Sequence, residues 1–361
     1  MTLLARDEAD VIDAQLAFHL NAGVDFVVAT DNRSQDGTTE ILERYAREGF
    51  AHVIREESDD YRQSEWVTRM ARLAATDFGA DWVINSDADE FWWPRGSSLK
   101  DVLGALPKRY GVVRALWRTF LPQPDTGESF AERMTLRLAP DAPINDPSSP
   151  FRPNAKSVHR ADSTIRVRTG NHELADTSLV RLRGWYPIEV LHFPLRRDDQ
   201  IARKYAAVHQ AWGAGHGLGH IDRALEAARE GRVDEILRVL GTDGDAVERG
   251  LAEGVLARDT RVRDALRTLA GVPALPTAGA SPPRFALPGS GAALEFPRPS
   301  LIDDALYAVE AAVVRQAGDV RSERRLDELE GRIAELERRG FRGVVRRARS
   351  LVRRRRPSGR P

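Results

Sequence analysis

The chain has no cysteine among its 361 residues. Neither a disulfide framework nor a thiolate metal site can form, and the absence fits a reducing compartment. It also lacks net charge. The 54 Lys and Arg residues balance the 54 Asp and Glu residues, so no global field favours nucleic acid. Long apolar runs are missing too; none approaches the roughly 20 residues of a membrane-spanning helix. The opening Met1-Thr2-Leu3-Leu4-Ala5-Arg6-Asp7-Glu8 has no basic segment followed by an apolar stretch, so it does not read as a signal peptide. These absences lead us to expect a cytoplasmic protein, soluble or attached peripherally at the inner face of the membrane. The rest is ordinary globular composition, 42% hydrophobic and 30% charged, long enough for two or three domains. No internal repeat is visible.

The first hundred residues alternate between strand and helix patterns. Thr2–Ala5, Phe26–Ala29, His52–Ile54 and Trp82–Asn85 read as short buried strands. Between them, residues 10–21, 38–48 and 64–78 carry apolar side chains at helical spacing, with Gly23 and Gly49 as stops. Strands separated by helices of this length imply right-handed crossovers and a mostly parallel sheet. From about 108 to 195 short β-like runs dominate (112–113, 134–138, 164–167, 179–182 and 190–193), which reads as an antiparallel extension. The expected fold is therefore α/β, with a C-terminal helical region. We divide the chain into 1–197, a helical region 198–270, a Pro/Gly/Ala/Ser-rich linker 271–300 and a helical tail 301–361.

The most informative segment is Asp87-Ala88-Asp89, which closes the apolar run Trp82-Val83-Ile84. Residues two apart on a strand point the same way, so both acids can face one cleft. Carboxylates so placed can hold a hard divalent cation, Mn²⁺ or Mg²⁺, that keeps positions open for substrate phosphates. A solvated acidic turn has the same sequence. Two further acidic segments follow earlier strands: Arg6-Asp7-Glu8-Ala9-Asp10, and Asp31-Asn32-Arg33-Ser34-Gln35-Asp36-Gly37-Thr38. In an open α/β sheet, ligands bind beyond the carboxyl ends of the strands, so segments far apart in sequence meet in one crevice.

In order and spacing these three segments resemble family-2-like glycosyltransferases of the GT-A (Rossmann-like) fold. The likeness is to the bacterial branch whose motifs read RNEAD and DADEF, with Asp at position 7 in place of the usual Asn. It covers roughly residues 1–200. The resemblance implies a nucleotide-sugar donor. It implies Asp31 on the nucleobase, Glu8 on base or ribose, and Asp87 on the ribose or a metal-bound water. It implies inversion at the anomeric carbon, with a catalytic base near Asn171-His172-Glu173, where His172 and Glu173 are both candidates. Asp198 and Asp199 stay open as alternatives. The processive synthases' Q-x-x-R-W segment is missing.

Other residues have competing readings. Asp89, with Asp87 and His192, is our metal set; His192 ends an apolar strand, where a core histidine is the bland alternative. Arg69 and Arg72 can reach a diphosphate or form a solvated helix face. Asp36 reads as a helix cap. Lys156 and His159 can bind phosphate or acceptor, but read first as part of a polar loop. His216 and His220 lie among glycines, which disfavour a helix, and read as a flexible acceptor-side loop. Trp92, Trp93, Trp117 and Trp185 can stack on sugars or pack in a core.

The tail carries a short apolar seam within 323–337, a route to oligomers. Beyond it, an arginine-rich stretch from Arg338 has one apolar stripe, suited to an anionic membrane surface or to a disordered basic end. The reading is thus a metal-dependent glycosyltransferase. It would act in cell-surface glycan or glycoconjugate synthesis on a glycan, lipid-linked or protein acceptor, with no nucleic-acid partner. A nucleotidyltransferase or pyrophosphorylase is the enzyme rival, although residues 5–8 lack the glycine-rich phosphate loop such enzymes use. A non-catalytic sugar- or membrane-binding scaffold is the other.

Overall fold

The structure is a computed structural model. It describes residues 1–58, 62–124, 126–139, 154–183, 185–197, 200, 244–271 and 285–297. All of these fall in the first of the two units into which the chain divides, 1–308.

The elements are β1 Thr2–Ala5, α1 Ile12–Asn21, β2 Val27–Asp31, α2 Thr38–Arg47, β3 Ala51–Arg55, α3 Gln63–Thr76, β4 Trp82–Asp87, β5 Glu90–Pro94, α4 Leu99–Gly104, β6 Val112–Thr119, α5 Phe130–Arg133, β7 Leu136–Leu138, β8 Asn154–Arg160, a 3₁₀ turn Thr169–Asn171, β9 Ile188–His192, α6 Gly244–Ala252, β10 Leu256–Arg258 and α7 Arg261–Ala270. Eight strands form one sheet in the order β3-β2-β1-β4-β8-β6-β9-β5, and β7 pairs with β10 in a second. The first four strands are mutually parallel. β8 runs against β4 and β6, and β5 runs against β9. This is the mostly parallel α/β sheet with an antiparallel extension that the sequence pattern leads one to expect, consistent with a Rossmann-like GT-A fold.

Burial on both faces explains the sequence of the central strands, because parallel strands between helices read as continuous apolar runs. In β1, Leu3 joins the core beneath α1, whereas Leu4 joins Trp66, Val67 and Met70 of α3 on the opposite face. Register then sets the site: Ala5 pairs with Asp31, and Leu4 with Asp87. With strands about 4.8 Å apart, the loops that follow β1, β2 and β4 must emerge side by side.

Several details differ from, or add to, what the sequence pattern suggests. The segment 90–94 is a strand, β5, and Trp92 and Trp93 are core residues, 0% and 5% exposed. They are unavailable to a sugar ring. The supposed polar loop 154–160 is an interior strand, β8, between β4 and β6. The runs 164–167 and 179–182 supply isolated bridges, Val167 to Leu174 and Arg181 to Val112. Finally, within the stretch read as a linker, Phe285, Ala286 and Phe296 are buried, and Phe296 meets Trp93 edge-on at 4.9 Å.

Candidate active site

The loops after β1 and β2 are stitched together by their own polar groups. The Asp7 amide donates to Ser34 Oγ at 3.1 Å, and the Gln35 amide donates to Asp7 Oδ1 at 2.8 Å. The Glu8 amide donates to Thr38 Oγ1 at 2.8 Å. Asp7 is left-handed, φ 55°. Aspartate, like asparagine, tolerates that region better than most residues. Asp36 accepts from Thr38 N at 3.1 Å, Thr38 Oγ1 at 2.6 Å and Ala9 N at 3.0 Å, and so fastens the start of α2 to the first loop. Partial burial opposes its charge, but these hydrogen bonds hold its carboxyl below the usual range. Asp31 is 3% exposed. Its Oδ1 accepts from Ser34 N at 3.1 Å and its Oδ2 from the Thr39 hydroxyl. It therefore forms the turn and faces the loop cluster at once.

Arg196 joins the first loop to the acidic pair. Its buried guanidinium contacts Glu8, donates to Asp10 at 2.8 and 3.0 Å, and lies 3.6 Å from Asp89 Oδ2. Glu8, Asp10 and Asp89 thus gather on one cation despite their sequence separation. The place of Arg196 among these acids was not legible from sequence. A lone arginine after a strand looks solvated, and only burial shows it as a hub.

Asp87 and Asp89 face different partners. Asp87 Oδ2 accepts from Lys156 Nζ at 2.7 Å, and its Oδ1 accepts from Gln63 Nε2 at 3.3 Å and Asn171 Nδ2 at 3.1 Å. Lys156 also pairs with Glu90 Oε1 at 2.7 Å and is 1% exposed in its side chain. Asp89 Oδ1 instead lies 3.5 Å from His192 Nε2. The β5–β9 register sets this, because Glu90 pairs with His192 and the Phe193 amide donates to Asp89 O at 2.9 Å. Two ligand bonds of about 2.1 Å meeting near a right angle put their donor atoms about 3 Å apart. The Asp89–His192 pair is therefore close to the spacing that a shared divalent cation requires, with the remaining coordination left to phosphates and water. Among the described residues no group of three or more His, Asp or Glu side chains gathers in that way.

Trp117 on β6 organises the two histidines. His192 stacks on the indole at 4.3 Å, and His172 meets it edge-on at 5.4 Å. His172 Nδ1 lies 3.0 Å from Ala155 O. A carbonyl only accepts, so Nδ1 carries a proton, and in the neutral ring Nε2 is left as the acceptor, the tautomer a general base requires. Glu173 is exposed next to it. The structure thus gathers Glu8, Asp31, Asp87, Asp89, His172 and His192 about the same strand ends. Arg69 pairs with Glu56 at 3.0 Å on a half-exposed helix face. Arg72 donates to Ile165 O at 2.9 Å and holds the 164–167 loop. His159 lies within β8, and burial lowers its pKa to about 4. Trp185 is 49% exposed. Asp198, Asp199, His216, His220, the apolar seam and the basic tail lie outside the described residues.

No known family profile matches the chain, and no curated protein sequence matches it. Among solved structures it is similar to S. aureus TarS 1-349 in complex with UDP-GlcNAc, at 11% identity and a TM-score of 0.34, over 69% of this chain and 91% of that one. The same protein in complex with UDP gives 12% identity and a TM-score of 0.32, over 69% and 90%. A longer S. aureus TarS chain gives 15% identity and a TM-score of 0.29, over 66% and 44%.

Proposed function

We propose that this chain transfers a sugar from a nucleotide-sugar donor to an acceptor hydroxyl. The observation that carries the reading is the union of Glu8, Asp10 and Asp89 on buried Arg196, beside Asp31 and Asp87, at adjacent carboxyl ends of one parallel sheet. Acidic side chains concentrated there suit a ligand with sugar hydroxyls and a cation-bound diphosphate better than a bare anion. Asp89 and His192 would hold a divalent cation, which supplies Lewis-acid stabilisation of the departing diphosphate when bound. Asp87 has one lone pair left on Oδ2 after its three donors, and a ribose hydroxyl is the partner that fits it. Asp31 and Glu8 would contact the base and ribose. His172, through Nε2, or Glu173 would take the acceptor proton. Inversion of configuration follows if attack is direct, as the sequence resemblance implies.

The test is calorimetry of the full chain with UDP and GDP, with and without Mn²⁺, followed by turnover assays on a panel of sugar nucleotides. Binding of one nucleotide, strengthened by Mn²⁺ and lost with Asp89→Asn, is expected. A chain that binds neither nucleotide would leave the scaffold reading. An Asp89→Asn variant that turns over a sugar nucleotide at the wild-type rate would overturn the mechanism.

A further inference from the structure

Several arginines of this protein are buried or half-buried in ion pairs. Arg118 and Arg261 meet Glu189, Arg137 meets Asp259, and Arg196 meets Asp10 and Glu8. A second set, Arg114, Arg166, Arg168, Arg181 and Arg183, makes no ion pair among the described residues. They are not scattered. Val167 bridges Leu174 antiparallel, with the Arg168 amide donating to Glu173 O at 2.9 Å and the Ala175 amide to Arg166 O at 2.8 Å. Val167 and Leu174 point into the core, so Arg166, Arg168 and Glu173 share the outward face. On the next segment, Arg181 bridges Val112, two residues from Arg114 on β6. Arg181 and Arg183 are exposed, whereas Arg114 is half-buried and its Nε has no hydrogen-bond partner although no solvent reaches it. Burial first, and then the Arg181 charge, lowers the Arg114 pKa, against the opposing pull of Glu173.

Four exposed guanidinium groups and half-buried Arg114 thus lie near a single carboxylate, Glu173, a candidate for the acceptor's base. One carboxylate does not balance five guanidinium groups, and like charges held together repel, so an arriving anion stabilises the arrangement. Guanidinium forks match phosphate and carboxylate oxygens in pairs. We propose that this patch binds the acceptor, and that the acceptor carries oxyanion groups, phosphate or carboxylate, close to the hydroxyl that receives the sugar. The inference rests on the proposed transferase reading and deepens it by naming the acceptor's chemistry.

Tripolyphosphate and trigalacturonate serve as probes for the two sources of oxyanion, titrated by calorimetry into the full-length wild type and into an Arg114→Gln/Arg181→Gln variant. Arg114 donates to no carboxylate, so its replacement breaks no buried ion pair, and thermal melting of the variant checks that the fold is kept. At least one probe should bind the wild type, about tenfold or more tighter than the variant, and which one does so identifies the oxyanion. Any contribution from the basic tail is common to both proteins and cancels in the comparison. Affinity for UDP or GDP with Mn²⁺ should be the same in both. Equal probe affinity in wild type and variant, or no binding of either probe, overturns the inference. So does a parallel loss of nucleotide affinity in the variant, which would assign the arginines to the donor. A wild type that binds a probe through these residues but binds no nucleotide would sink the transferase reading instead, and leave an oxyanion site.

Discussion

Lys156 shows how much one side chain settles in this site. Its ammonium is buried, with Asp87 and Glu90 carboxylate oxygens each at 2.7 Å. Burial alone would depress its pKa, but the two carboxylates outweigh burial and raise it, so the charge is fixed. Glu90 moves the other way. Burial pushes its pKa up to about 8, with Asp87 and Asp89 adding and Lys156 opposing. The cation therefore serves chiefly to hold Asp87, which it fixes from β8, while Gln63 and Asn171 approach from other elements. Breaking a buried ion pair by removing one member costs about 3–5 kcal/mol, because the partner stays behind uncompensated. Lys156→Met should lose stability of about that size in urea unfolding. Adding Glu90→Gln should recover part of it, since that partner can then stay neutral. Nucleotide affinity, by contrast, should stay low in the double variant, because Asp87 has still lost its anchor. Recovery of both properties together would mean that Lys156 is merely structural.

At the scale of elements, the sequence makes some parts plain and hides others, for physical reasons. The parallel strands were legible because burial on both faces leaves an uninterrupted apolar run, and the helices between them because their apolar spacing is regular. The acidic loops were legible as candidates because each sits where such a run ends. Strand β8 was hidden, since Lys156, Ser157 and His159 are polar residues buried by partners that sequence does not display. Strand β5 was hidden because Phe91-Trp92-Trp93 has no alternation to separate strand from loop. Helix α1 conceals a histidine in the same way: His19 is fully buried, its Nδ1 donating to Gln15 O at 2.7 Å and its Nε2 accepting from Trp92 N at 3.0 Å. Burial is the largest influence on His19 and on His159, and lowers their pKa values to about 3 and about 4. Both fall below the unfolded value of about 6.5, so the fold favours the neutral rings. Their contribution is complete above about pH 6.5 and declines as pH falls, by up to roughly 1.4 kcal/mol per pH unit for each histidine. Urea midpoints should therefore drop steadily from pH 7 to pH 5, and His19→Gln, which cannot gain the buried charge, should drop less. A midpoint that does not change over that interval would rule out these two groups as its source.

At the scale of the whole described unit, the C-terminal segment is locked onto the sheet by charge as well as by apolar contact. Leu266 and Leu269 of α7 join the core beneath α1, and β10 extends β7. At the start of α7, Arg261 donates to Glu189 Oε2 at 2.8 Å and to Asp259 Oδ2 at 2.7 Å, and its guanidinium lies 5.3 Å from the Trp93 ring centre. Glu189 also accepts from Arg118 at 2.8 Å, and Arg137 donates to Asp259 at 2.9 Å. Burial works against the Glu189 charge, but Arg261, Arg118 and Arg137 hold its carboxyl well below the usual range. Glu189 lies on β9, three residues before His192, and pairs with Leu116 beside Trp117. The anchor for residues 256–271 and the stack that orients His192 are therefore built on the same two strands. Glu189→Gln keeps the shape but leaves Arg118 and Arg261 with a neutral partner, and should cost about 3–5 kcal/mol in urea unfolding. The loss should be independent of nucleotide and metal, because Glu189 is outside the proposed nucleotide and metal contacts. It should also be additive with that of Asp89→Asn, since separate networks add within a few tenths of a kcal/mol. Strong coupling between the two substitutions would instead show that the clamp on the C-terminal segment reaches the Asp89–His192 pair through β9.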